Sequence, residues 1–140
     1  MRRIFLVDNQ TTNNELSKVI VALGYDVRLS QKSLEALKAV KNYRPHVIIL
    51  NTTILGESDW QLCTQIRQFY QTPILILTAD GDTGKVINAL TNGADVVLPK
   101  PVSNRMLVAH LENLSRRAQA ELDAAAQDPS LQLIMKREAS

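Results

Sequence analysis

Four short apolar runs constrain the fold of this chain more than any other feature. They cover residues 4–7, 47–50, 74–77 and 96–98, and no polar residue interrupts them. Continuous runs rich in β-branched residues are typical of strands buried on both faces of a parallel sheet. A weaker run over residues 25–29 alternates between apolar and polar side chains and predicts an edge strand. The sequence therefore predicts a central sheet covered by helices on both sides.

Amphipathic helical patterns separate the apolar runs. The first places apolar residues at i, i+3, i+4 and i+7 from Leu16 to Leu23, and Gly24 predicts its left-handed end. Four later patterns each predict a helix with an apolar side: residues 33–40 place Leu34 and Leu37 inward, and a helix from Ser58, with Gln61 as its capping partner, buries Leu62, Ile66 and Phe69. A further helix runs from near Asp82 to Asn92-Gly93 and has Val86, Ile87 and Leu90 on its apolar side. The last begins after Ser103 and has Leu107, Leu111 and Leu114 on its apolar side.

Strict alternation of five strands and five helices indicates an α/β fold joined by right-handed crossovers. Five strands in about 115 residues favour the flavodoxin-like doubly wound (βα)5 sandwich, whose parallel sheet has the order 2-1-3-4-5. We expect one domain over residues 1–117. The apolar stripe of the fifth helix continues through Ala118, Leu122 and Ala125. Residues 118–140 are therefore expected to be an extended helix and linker towards an absent output domain.

The composition excludes several classes of function. A net charge of +2, from 16 Lys and Arg against 14 Asp and Glu, gives no strong field towards nucleic acid or anionic lipid. Aromatic residues make up 4%, too few for a base-stacking platform. The single cysteine, Cys63, cannot form an internal disulfide and is expected to be a small buried hydrophobe. No stretch is long and apolar enough to span a membrane, so we expect a cytoplasmic protein.

Polar residues follow the predicted strands. Asp8 and Asn9 end the first, Asn51 ends the third, Thr78 the fourth, and Lys100 follows the fifth. Open parallel sheets bind ligands beyond the carboxyl ends of their strands. We therefore expect these five side chains to share one shallow pocket.

These strand ends resemble those of the receiver domain of bacterial response regulators, the CheY-like family, over residues 1 to about 117. The resemblance places Asp8 and Asn9 where the family has an acidic pair. It also places Asn51 where the family has its phosphoacceptor aspartate. Thr78 with Ala79 and Lys100 with Pro101 match the family's fourth and fifth strand ends. In that family a carboxylate accepts a phosphoryl group beside a magnesium ion.

The chain departs from that pattern in its pocket. The Asn51 amide is not a usable nucleophile, and Asp8 is the only acid left of three. One carboxylate is expected to bind magnesium weakly or not at all, so we expect no cofactor and no catalytic residue. We interpret the chain as a pseudo-receiver with a fixed Asp8–Lys100–Asn51 cluster, and not as an enzyme. Whether Thr78 and Lys100 serve only packing or also sense a ligand stays open.

A second resemblance concerns partners. Residues 100–111 look like the fifth-helix region of receivers attached to winged-helix DNA-binding domains. That resemblance implies a homodimer, or a regulatory protein partner, on the face of the fourth helix, fifth strand and fifth helix. DNA would be contacted only through an output domain outside this chain. The residues expected on this face are Lys85, Asp95, Arg105, Leu107 and His110, although each charge alone fits an ordinary solvated surface equally well.

Three alternative functions follow from the same residues. The pocket could sense a small anion or metabolite through Lys100, Thr78 and the two amides. The chain could also remain phosphorylatable on another residue. A flavin-carrying enzyme is disfavoured, because residues 9–14 contain no glycine that would let a phosphate approach the backbone.

Overall fold

The computed structural model describes residues 2–8 and 15–127. Within these residues, five strands and five helices alternate: β1 (Arg3–Asp8), α1 (Glu15–Ala22), β2 (Asp26–Ser30), α2 (Leu34–Asn42), β3 (Val47–Thr52), α3 (Glu57–Phe69), β4 (Ile74–Thr78), α4 (Thr83–Thr91), β5 (Val96–Pro99) and α5 (Asn104–Gln127). The strands form one parallel sheet in the order β2-β1-β3-β4-β5. This confirms the predicted fold class and strand order.

Each central strand is buried on both faces. Along β1, Phe5 and Val7 lie in the core shared with α2, α3 and α4, whereas Ile4 and Leu6 lie in the core shared with α1 and α5. Such two-sided burial is why the runs are continuous rather than alternating. Among the described strands, β2 pairs only with β1 and is more exposed, which confirms it as an edge strand.

Four residues predicted on the apolar sides of their helices are in fact exposed: Leu34, Phe69, Ile87 and Leu90. On α4, Val86 and Ala89 pack against the core instead of Ile87 and Leu90. Leu34 is 74% exposed, since α2 packs through Ala36, Ala39 and Val40 on another side of the helix. Phe69 is 78% exposed, because Tyr70 takes the packed position one turn after Ile66. The prediction for Leu62 and Ile66 was right, as both are buried.

Helix ends follow local chemistry. Gly24 has a φ of +100°, so the first helix ends as predicted in a left-handed glycine. The fourth helix ends at the predicted Asn92-Gly93 step, where Gly93 has a φ of +119°. Asp82 caps α4 by accepting a hydrogen bond from the Lys85 amide. The predicted Ser58–Gln61 capping pair is wrong: α3 begins at Glu57, and the Asp59 carboxylate accepts from the Gly56 amide over 2.9 Å.

Helix α5 packs through Leu107, Leu111 and Leu114, as predicted. Ala118 is also buried, so the packed body extends past the expected boundary at residue 117.

Cys63 is fully buried as expected, and burial raises the pKa of its thiol to about 12. Among the helices that the structure describes, none is long and apolar enough to cross a membrane. Asn9 and residues 128–140 of the expected linker lie outside the described residues.

Candidate functional site at the carboxyl ends of the strands

Three side chains at the carboxyl end of the sheet form a continuous hydrogen-bonded chain, here called the polar cluster: Asp8, Asn51 and Lys100. Asp8 and Asn51 are register partners on the adjacent strands β1 and β3. The Asn51 Nδ2 group donates to Asp8 Oδ2 over 3.0 Å. Lys100 Nζ donates to Asn51 Oδ1 over 2.8 Å. The structure thus brings these three predicted site residues together.

The Asn51 amide has one donor end and one acceptor end, and the polar cluster uses both. The carboxylate of Asp8 can only accept and the ammonium of Lys100 can only donate, so a neutral amide between them satisfies each group. Asp8 is 5% exposed and Lys100 is half-buried, so these charge-assisted bonds are partly shielded from water. The Asn51 amide therefore lies between the two charges, and its nitrogen is already hydrogen-bonded to Asp8.

Thr78 faces a different set of partners. Its hydroxyl donates to the Thr53 carbonyl over 3.3 Å and accepts from the Asp80 amide over 3.0 Å. The side chain is 1% exposed, and none of its hydrogen bonds to described residues reaches the polar cluster. Thr78 therefore joins the loop after β4 to the loop after β3.

Sequence reasoning missed Asp80. Its carboxylate accepts from the Leu55 amide over 3.2 Å, from Lys85 Nζ over 3.0 Å and from the Asp82 amide over 3.0 Å. The hydrogen bond from Lys85 is the main reason that the pKa of Asp80 is lowered. Together with Thr78, Asp80 ties the two loops that flank the polar cluster. An acid next to Thr78-Ala79 was the only signal in the sequence, and its partner at Leu55 is not readable from spacing.

The structure places the residues expected on the partner face in different environments. Leu107 is 1% exposed and lies in the core, so its assignment to that face was wrong: it lies on the apolar stripe of α5. Lys85 pairs with Asp80. Asp95 accepts from Arg67 and Arg117, both over 2.6 Å. Arg105 is exposed and His110 is half-buried on α5.

The described side chains do not fit a divalent cation well. Within residues 2–8 and 15–127, no group of three His, Cys, Asp or Glu residues could hold a metal ion. Magnesium prefers several oxygen ligands with carboxylates among them. The polar cluster offers the carboxylate of Asp8, while the oxygen of Asn51 already accepts from an ammonium.

The five-stranded sheet, with polar side chains at its carboxyl edge, defines a doubly wound α/β domain. Residues 4–112 match the response regulator receiver domain, and the chain belongs to that family. It is a receiver domain of two-component response regulators, which confirms the resemblance drawn from its strand ends.

Similar proteins agree with this assignment. The chain is 30% identical over 128 residues to the transcriptional regulatory protein AfsQ1 of Streptomyces coelicolor, covering 91% of this chain and 57% of that protein. It is 34% identical over 117 residues to the response regulator MprA of Mycobacterium sp. (strain KMS), covering 82% and 51%. The chain thus spans little more than half the length of these relatives.

Solved structures give the same fold. A two-component response regulator from Clostridium difficile is 27% identical with a TM-score of 0.74, covering 84% of this chain and 98% of that one. The signal receiver domain of an HD domain-containing protein from Pseudomonas fluorescens Pf-5 has a TM-score of 0.77 at 22% identity, covering 87% and 92%, and supports the fold alone.

Proposed function

We propose that this chain is a pseudo-receiver, a signalling module that acts without aspartyl phosphorylation. The observation that carries the proposal is the Asn51 amide, held between the Asp8 carboxylate and the Lys100 ammonium. Asn51 stands where the family's phosphoacceptor aspartate is expected. The lone pair of an amide nitrogen is delocalised into its carbonyl, so this side chain cannot attack phosphorus as a carboxylate does.

The charges of the polar cluster support the same proposal. Lys100 donates to a neutral oxygen, and Asp8 is the one acid in the cluster. With so few anionic oxygens, magnesium binding is weak or absent and no cofactor is required. The module transmits a signal through its surface and catalyses no reaction.

The partner in this proposal is a second copy of the chain or a regulatory protein, on the face formed by α4, β5 and α5. Exposed apolar side chains on these helices support an interaction there: Ile87, Leu90 and Met106. Arg105 adds an exposed charge beside Met106. The chain covers 57% of a relative named as a transcriptional regulator. An output domain that binds DNA would therefore follow in the whole protein, which we place in the cytoplasm.

The test is a phosphorylation experiment followed by NMR. The protein is incubated with a small phosphodonor and magnesium, and separately with beryllofluoride and magnesium. The proposal expects no saturable amide shifts around Asn51, Thr78 and Lys100. Saturable shifts there would overturn it. A phosphoryl group found elsewhere by mass spectrometry would instead support the alternative of a receiver phosphorylated on another residue.

A second candidate function is recognition of a small anion or metabolite. The half-buried ammonium of Lys100 beside a neutral amide favours it, because an anion could replace Asn51 as the acceptor. Thermal-shift measurements with phosphate, sulfate and small carboxylates test this idea. A ligand that binds only the folded chain must raise the melting temperature. The same ligand should have no effect on Lys100→Met, and a panel with no effect on the native chain would exclude this candidate for those anions.

A further inference from the structure

Helix α5 is fastened along the amino-terminal edge of the sheet, the edge opposite the polar cluster. The residues immediately before four of the strands each bond to an α5 side chain. The pairs are Arg2 with Ser115, Tyr25 with Glu112, His46 with Gln119, and Asp95 with Arg117. Three of these pairs, those with Ser115, Gln119 and Arg117, hold the part of α5 that extends past residue 112, where the match to the receiver family ends.

His46 is the buried side chain among these contacts whose ordinary pKa lies near neutral pH. It is 2% exposed and lies just before β3. Its Nδ1 accepts a hydrogen bond from the Arg3 amide over 3.0 Å, so Nδ1 carries no proton. Its Nε2 lies 2.7 Å from Gln119 Oε1. The neutral ring with its proton on Nε2 is therefore the form that fits both partners.

The orientation of Gln119 is set independently by α5. Its Nε2 group donates to Asp123 Oδ1 over 3.0 Å, one turn further along the helix. Its Oε1 is consequently the atom turned towards His46, where it can only accept. Gln119 thus links the buried imidazole to the exposed end of α5.

The charged groups that influence His46 directly are all cationic. Arg2 and Arg3 lie on the strand side, whereas the described part of α5 presents the neutral Gln119, with the Asp123 carboxylate beyond it. Burial, aided by Arg3 and Arg2, lowers the pKa of His46 despite the opposing effect of the Gln119 hydrogen bond. A proton added at Nδ1 would face the Arg3 N–H, and the buried cation would have no counter-charge.

We propose that His46 is a positioning residue that clasps the distal part of α5 to the sheet edge only while its imidazole is neutral. Protonation ejects the ring from its site, breaks the Gln119 contact and frees α5 from about Ala118 onwards. The clasped form binds one proton fewer, so it is complete above the ordinary histidine pKa of 6.5 and weakens as the pH falls below that value. This proposal does not depend on the absence of phosphorylation.

Hydrogen exchange of the full chain tests the proposal. Amide exchange over residues 116–124 is compared at about pH 7.5 and about pH 5, on either side of the free histidine pKa, after correction for intrinsic rates. Loss of one hydrogen bond should raise exchange there by about five- to tenfold. In His46→Gln, which keeps a side-chain donor but cannot titrate, the pH effect should disappear. His110→Gln is the matched control on α5 and should keep it.

Each result bears on the proposal. A pH effect that persists in His46→Gln would overturn it, as would one that is lost in His110→Gln. Nitrogen NMR of the native imidazoles provides a check that does not depend on a folded variant. A ring protonated on Nε2 above pH 6.5 supports the clasp, and a ring protonated on Nδ1 contradicts it.

Discussion

The ammonium of Lys100 is held by the neutral side chain of Asn51: Nζ lies 2.8 Å from Oδ1, and the other end of the same amide donates to Asp8. Replacing this amide by a carboxylate would put an anion in direct contact with the ammonium and next to a second acid. The charge balance of the polar cluster therefore depends on whether residue 51 carries an amide or a carboxylate. The first prediction follows from this relationship.

Restoring the acids should restore magnesium binding. In the double variant Asn9→Asp with Asn51→Asp, two added carboxylates join Asp8 and supply the anionic oxygens that a hard cation needs. Calorimetric titration should show magnesium affinity at least about tenfold above that of the native chain, or about 1.4 kcal/mol. Asn88→Asp adds a charge on exposed α4 and should leave the affinity unchanged. If the double variant gains nothing, residues 54–59 close the site by themselves.

Removing the Asp80 carboxylate should loosen the two loops beside the pocket. In Asp80→Asn the Leu55 amide and the Lys85 ammonium lose an anionic acceptor, so the Leu55 amide should exchange faster with solvent. Hydrogen exchange by NMR measures this. Glu57→Gln, which changes an exposed acid at the start of α3, is the control and should leave Leu55 protected.

The hydrogen bond from Lys85 to Asp80 also predicts that the two loops become less stable at acid pH. Because the pKa of Asp80 is lowered below its ordinary value of 3.8, its contribution to stability is complete above that value. It is lost as the pH falls through the folded-state pKa. Protection of Leu55 should decrease over that acid range in the native chain and should vary less in Asp80→Asn. Equal pH profiles of Leu55 protection in the two proteins would contradict the role of Asp80 in tying the two loops together.

Two leucines predicted to be alike should differ in their effect on stability. Leu111 is fully buried in the core beneath α5, whereas Leu34 is 74% exposed. Leu111→Ala should lower the free energy of unfolding by about 2–5 kcal/mol, because it removes buried methyl groups and leaves a cavity. Leu34→Ala should change it by less than about 0.5 kcal/mol. Urea denaturation measures both, and similar losses would refute the packing described here.

Gly93 should not tolerate a side chain. Its φ is +119°, and an added Cβ would lie 2.5 Å from Cγ of Arg67, the residue that pairs with Asp95. Backbone strain alone should make Gly93→Ala less stable by about 1–3 kcal/mol. Gly81→Ala is the control, since an added Cβ there meets nothing within 4 Å. The comparison uses thermal or urea unfolding, and a neutral Gly93→Ala would show that the turn adapts.

Much of the fold could be predicted from the sequence because the relevant information is local. Continuous apolar runs can only be satisfied by burial on both faces, so the parallel sheet and its flanking helices follow. Strand ends meet at one edge of such a sheet, which is why Asp8, Asn51 and Lys100 could be grouped before their contacts were known. Gly24 and Asp82 likewise mark helix boundaries through their own backbone and capping chemistry.

Tertiary structure decided what depends on partners distant in the chain. The inward face of a short helix depends on where it docks, so Leu34 and Phe69 could not be placed by periodicity alone. Thr78 bonds to backbone rather than to the polar cluster, and Asp80 reaches Leu55, because two loops meet in space. The sequence by itself determined the sheet and the chemical groups at its carboxyl edge. Only packing decided that His46 contacts Gln119 on α5, 73 residues further along the chain. No local sequence pattern records a contact between side chains so far apart in the chain.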